Sequence, residues 1–87
     1  MITHEELRQE VLQWAEKIGV RPVEVHIRVM SRKWASCSAR GRLTFNKDIM
    51  GESKQFLKEV IVHELLHLKY PNHGRMFKAL LRSYLSK

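Results

Sequence analysis

Residues 53–70, SKQFLKEVIVHELLHLKY, predict a long helix at the centre of the chain. Ser53 can cap its start, because a serine hydroxyl accepts a hydrogen bond from the backbone of the first helical turn. Pro71 ends the helix near Tyr70, since proline cannot continue it. At about 100° per residue, the apolar side chains share one broad face: Phe56, Leu57, Val60, Ile61, Leu65 and Leu68.

This helix contains the pattern H-E-x-x-H, as His63-Glu64-Leu65-Leu66-His67. Residues four apart point the same way, so His63 and His67 can converge on one tetrahedral zinc ion. Glu64 is turned aside from that axis and is predicted to act as the catalytic general base on zinc-bound water. A catalytic zinc usually has three protein ligands, and His73, beyond the helix end, is the candidate for the third.

A metal-free interpretation of the same residues is a polar network in the core. The periodicity places His63, Glu64 and His67 within the apolar face, where unsatisfied polar groups cost several kcal/mol. A metal ion would satisfy them, so we favour metal binding. Three imidazoles suit Zn²⁺, and one zinc ion is the predicted cofactor, although Co²⁺, Ni²⁺ or Mn²⁺ could replace it in vitro.

The rest of the chain predicts two more helices and three strands. An amphipathic helix spans about residues 4–18, and strict alternation over 23–29 predicts a strand. Two further strands, 33–38 and 42–46, form a hairpin, and a last helix covers about 74–84. The order α-β-β-β-α-α predicts an α+β fold, with a small antiparallel or mixed three-stranded sheet packed on helices.

The composition fits one small domain over residues 1–87. A single cysteine, Cys37, excludes an internal disulfide and fits a reducing cytosol. The sequence contains neither a signal peptide nor an apolar run of membrane-spanning length, so we expect a cytoplasmic protein without membrane contact. The net charge is +7, and the segment between Glu24 and Asp48 has no acidic residue, which favours acidic partners such as nucleic acid without establishing one.

Together, Trp34-Ala35-Ser36-Cys37-Ser38, the H-E-x-x-H segment and Asn72-His73-Gly74-Arg75-Met76-Phe77 resemble the YgjP-like metallopeptidase domain, over roughly residues 23–80. More distantly, they resemble the SprT-like and WLM proteases. The resemblance implies a minimal zincin, a zinc metallopeptidase with a short sheet above its active-site helix. It implies zinc ligands at His63, His67 and His73 and a catalytic base at Glu64. Ala35 and Lys78 depart from the usual family residues.

The hairpin suggests where a peptide or protein substrate would bind. An edge strand beside the metal can pair with an extended substrate, and the candidate substrate-binding residues are Trp34, Ala35 and Ser36. A strand tryptophan is more often a core residue, and we favour that interpretation of Trp34. Ser36 and Cys37 lack a base partner and are interpreted as buried strand residues rather than nucleophiles. Asn46 is interpreted as a loop anchor.

Other functions remain open at this point. The same zinc could be structural, in a nucleic-acid-binding or protein-interaction module without hydrolytic activity. A metal-free protein completed by a partner is a further alternative. The histidines His4 and His26 are interpreted as surface residues. The oxyanion-stabilising residue, the cleavage preference and the oligomeric state are not assigned.

Overall fold

The structure is a computed structural model that describes residues 2–86. Its elements follow the order α1 (His4–Ile18), β1 (Glu24–Arg28), β2 (Ala35–Cys37), β3 (Arg42–Asn46), α2 (Lys54–Leu66) and α3 (Arg75–Leu85), with a 3₁₀ helix at Lys47–Gly51. The predicted α+β class and element order are therefore confirmed. Within residues 2–86, no helix combines the length and apolar character needed to cross a bilayer.

The N-terminal helix begins where its sequence predicts. The Thr3 hydroxyl accepts from the Glu6 backbone N–H at 3.1 Å, and the Thr3 backbone N–H donates to the Glu6 carboxylate at 3.0 Å. That reciprocal pair is a capping box, which satisfies two of the backbone donors at a helix start. The hydrogen bond from the Thr3 backbone lowers the pKa of Glu6. The buried side of α1 then packs on the core.

The sheet is mixed, with the strand order β1-β3-β2. β1 runs parallel to β3, and β2 runs antiparallel to it, as expected for the predicted hairpin. Gly41 in the hairpin turn has a φ of 92°, the left-handed conformation that glycine adopts without strain. This order leaves β2 at one edge of the sheet and packs it against α2.

One cluster of buried side chains joins the helices to the sheet. β3 contributes Leu43 and Phe45, and α1 and α2 contribute five buried side chains each. Because α2 lies between α1, α3 and β2, its backbone is held on several sides. Side chains on its remaining surface are therefore presented from a rigid support.

The central helix ends four residues earlier than predicted, at Leu66 instead of Tyr70. Its end tightens into 3₁₀-type bonds, including His67 N–H to the Glu64 carbonyl at 3.2 Å and Lys69 N–H to the Leu66 carbonyl at 3.0 Å. Proline disfavours the helical conformation only in the residue just before it, here Tyr70, so the earlier end follows from this tightened last turn rather than from Pro71 alone. The chain then turns back toward α2 and begins α3 at Arg75.

Candidate active site

The H-E-x-x-H residues lie at the border of the buried face of α2. The fully buried residues are Leu57, Ile61, Val62, Leu65 and Leu66, whereas His63, Glu64 and His67 are half-buried. The prediction that these three side chains lie within the apolar face was therefore too strong. Phe56, Val60 and Leu68 are also only half-buried. The most buried side chains of α2 include Val62 and Leu66, and His63 and Glu64 line a cavity together with Ala35 of β2 and Leu81 of α3.

The three candidate ligands converge. His63 and His67 have ring centroids 4.8 Å apart, and His73 approaches both rings, at 5.0 and 4.7 Å. One ligand atom from each imidazole lies within 4.8 Å of the others. The Nε2 atoms of His67 and His73 are 3.0 Å apart. The early end of α2 makes this possible, because it lets the segment after Pro71 return to the helix.

Hydrogen bonds orient the two helical imidazoles. Nδ1 of His67 lies 3.2 Å from the carbonyl oxygen of Tyr70, and Nδ1 of His63 lies 3.2 Å from Oε2 of Glu64. With the proton on Nδ1, each of these rings donates to oxygen and carries no proton on Nε2, as a ligand nitrogen requires. Metal-binding histidines typically make such a bond from the nitrogen that does not bind the metal. The donor set and its orientation therefore fit a metal ion.

A residue that the sequence analysis did not assign to the site lies at its centre. The Phe77 ring is 2% exposed and contacts all three imidazoles. Its centroid lies 5.2 Å from His63, 4.8 Å from His67 and 4.9 Å from His73. The signal available in the sequence was spacing, because Phe77 follows His73 by four residues. That spacing brings both side chains to the same end of α3.

Glu64 lies between two cavities. One, of about 440 Å³, has mostly apolar walls and includes Trp34, Ala35, Val60, Glu64 and Leu81. The other, of about 480 Å³, has more polar walls and includes Ala35, Ser36, Ser38, Glu64 and His67. The Glu64 side chain is 13% exposed. Its carboxylate is thus accessible at the point where the two cavities meet.

The edge strand β2 borders both cavities. The Asn46 N–H donates to the Trp34 carbonyl at 2.8 Å, and the Ser38 N–H donates to the Arg42 carbonyl at 2.9 Å. In an antiparallel pair, alternate residues direct their backbone groups toward the partner strand. Trp34, Ser36 and Ser38 therefore face β3, whereas Ala35 and Cys37 direct their backbone N–H and C=O groups toward the free edge.

The structure corrects the interpretation of Trp34. Its side chain is not in the core but is 40% exposed, and it packs edge-on against Phe56 with ring centroids 5.2 Å apart. Trp34 lies just before the first residue of β2, at the edge of the sheet. Its side chain lines the apolar cavity.

Cys37 and Asn46 are two other residues for which the sequence predicted a structural role. Cys37 is half-buried, and burial together with the negative charge of Glu64 raises its pKa, which does not favour a nucleophilic thiolate. The Asn46 side chain anchors the loop before β2. Its Nδ2 donates to the Met30 and Lys33 carbonyls, both at 2.9 Å, and its Oδ1 accepts from the Asp48 backbone.

Comparisons with known proteins identify a family for this chain. A family model described as YgjP-like, metallopeptidase domain, matches residues 2–87, which is more of the chain than the motifs alone indicated. No functionally curated protein matches the chain.

The fold is shared with solved structures that include two metallopeptidase zymogens. The metallopeptidase zymogen of Methanocaldococcus jannaschii jannalysin aligns with a TM-score of 0.81 and 29% identity, over 90% of this chain and 80% of that one. The zymogen of Pyrococcus abyssi abylysin aligns with a TM-score of 0.77 and 20% identity, over 87% and 76%. Since the family model spans nearly every residue, the chain belongs to the YgjP-like family and is a metallopeptidase domain.

Proposed function

We propose that this chain is a zinc-dependent peptidase in which His63, His67 and His73 hold one zinc ion and Glu64 is the general base. The observation that carries the proposal is the convergence of three imidazoles beside a carboxylate that opens onto two cavities. Three imidazole donors suit zinc, and a catalytic zinc site leaves a position open. We also propose that residues 1–87 act as one peptidase domain.

The roles follow from the position of each group. When bound, zinc supplies Lewis acidity, which polarises the scissile carbonyl and makes water easier to deprotonate. Glu64 accepts a proton from the attacking water on its carboxylate and then delivers that proton to the leaving amine. The His67 ring stays oriented because its Nδ1 atom is hydrogen-bonded to the Tyr70 carbonyl oxygen.

The free edge of β2 is the proposed binding site for the substrate backbone. The N–H and C=O groups of Ala35 and Cys37 can pair with an extended peptide, which would then lie along the cleft past Glu64. Trp34, just before this strand, lines the apolar cavity, and Ser36 within it lines the polar one. Substrates are thus expected to be unfolded or exposed segments, since a folded segment cannot add as a strand.

The apolar cavity predicts a side-chain preference. Val60, Leu81 and Trp34 line it beside Glu64, so it can accept a large apolar side chain next to the scissile bond. Val60→Phe should fill part of this space and lower the ratio of kcat/KM for leucine over alanine at that position by about tenfold. Cleavage of a matched peptide series measures the ratio. Val29→Phe, at an 82% exposed position outside the cavity, is the control. Equal ratios in both variants would reject the assignment.

A binding module without hydrolytic activity is the alternative to test. Nucleic-acid binding by base stacking would need a series of exposed aromatic side chains among the basic residues. Of the two aromatic residues between Glu24 and Asp48, Trp34 is 40% exposed and packs on Phe56, and Phe45 is fully buried, so no such series is present there. Purified wild-type protein should cleave denatured casein or a peptide library, lose activity with a chelator and regain it with zinc. Salt-dependent DNA binding without any cleavage would favour the alternative.

A further inference from the structure

We propose that Phe77 is a positioning residue, whose ring holds the three imidazoles in the arrangement that binds one metal ion. This inference rests on the proposed metal site. Phe77 would not bind the metal ion itself. It would affect metal binding by fixing the positions of His63, His67 and His73.

The contacts of Phe77 are unusual for a core phenylalanine. Its ring is nearly perpendicular to the rings of His63 and His73, at 82° and 71°, and is tilted by 33° from that of His67. One flat side chain therefore restricts the rotation of three others. A phenylalanine ring offers no conventional hydrogen-bonding group, so it constrains the rings without occupying their nitrogens.

The location of Phe77 in α3 supports the same role. Within residues 75–85, all of which the structure describes, Phe77 alone is fully buried. It lies in the first turn of α3, three residues after the N-cap Gly74 and four after His73. The residue that fixes the start of α3 on the protein body is thus also the residue against which the imidazoles pack.

The physical benefit is preorganisation. His73 is exposed and lies outside any helix or strand, so its backbone leaves the ring less constrained than those of His63 and His67. A ligand that must be ordered during binding costs conformational entropy, which lowers affinity. Packing against Phe77 restricts the His73 ring before the ion arrives. Removing a hydrogen-bonding partner of a metal ligand typically costs about 10–100-fold in metal affinity, and we expect the loss of the Phe77 packing to have an effect of that order.

The test compares Phe77→Leu with Phe45→Leu, which makes the same change at a fully buried position in β3. Zn²⁺ and Co²⁺ affinities are measured by competition with a chromophoric chelator, and metal-free stability by thermal unfolding. We expect Phe77→Leu to bind both ions about 10–100-fold more weakly and to change the Co²⁺ absorption spectrum. Phe45→Leu should lose comparable stability while binding metal within about twofold of wild type.

Three results would overturn the proposal, two from metal binding and one from NMR. Phe77→Leu could bind metal within about twofold of wild type, or both variants could lose affinity in step with stability. Either binding result would make Phe77 a core residue without a role at the metal site.

A second measurement needs no metal. NMR of the metal-free protein should show well-ordered imidazole rings in wild type and broadened or averaged ring signals in Phe77→Leu. Unchanged ring order would also refute the role. If wild type binds no metal, the proposed function fails, and the NMR comparison still decides the role of Phe77.

Discussion

Glu64→Gln is expected to reduce kcat for peptide cleavage by about 10²–10⁴-fold while leaving metal content unchanged. Glutamine keeps the size and shape of the side chain, but its amide cannot accept and return a proton at neutral pH. The proposed ligands are three imidazoles, so the loss of the carboxylate should not release the ion. Metal analysis and steady-state kinetics on the same preparation separate the two effects.

The control for this variant is Glu10→Gln, at an exposed position on α1 remote from the motif in sequence. It makes the same chemical change and should retain wild-type kinetics. Glu64→Asp adds a further comparison, because it restores a base one methylene short of its position and should recover part of the activity. Turnover within tenfold of wild type in Glu64→Gln would show that another group deprotonates the water.

His73→Ala is expected to remove most of the stabilisation that zinc gives the folded protein. An ion present at about 1,000 times its Kd stabilises by about 4 kcal/mol. For a domain of this size, that corresponds to a rise in Tm of about 15–30 °C. His73 is exposed, so its replacement should change the stability of the metal-free protein by only about 0.5 kcal/mol. The variant therefore separates metal binding from packing.

The measurement is thermal unfolding of wild type and His73→Ala, each with zinc and with chelator. The matched control is His4→Ala, which removes an exposed imidazole at the start of α1. It should keep the full zinc-dependent shift. An equal zinc-dependent shift in His73→Ala and wild type would exclude His73 as the third ligand. A wild-type protein whose Tm is the same with zinc and with chelator would argue against the metal site altogether.

Much of the fold followed from local signals in the sequence. The capping box at Thr3 and Glu6 marked the start of α1, and Ser53 marked the start of α2. Alternation predicted β1 to within a residue at each end. These features were readable because each depends on neighbours within four residues, where periodicity and capping act directly.

The errors concern places where distant parts of the chain meet. Trp34 was interpreted as a core residue, but its exposure depends on where the edge of the sheet passes α2. The end of α2 was misplaced because the influence of Pro71 on the preceding residues is combined with the return of the loop toward the helix. Phe77 was part of the segment that resembles the family but was given no role at the site, since periodicity cannot show that its neighbours are imidazoles.

The sequence by itself determined the element order, the helical pairing of His63 with His67 and the position of Glu64 beside them, because helical spacing alone places these groups. It identified His73 as the candidate third ligand, but sequence spacing does not show that His73 lies near His63 and His67. Only the tertiary structure decided that the chain after Pro71 returns to α2, that β2 lies at the edge beside Glu64, and that Phe77 packs against three imidazoles. Those contacts join residues separated by loops, and loop paths are set by the packing of the whole core rather than by any local pattern.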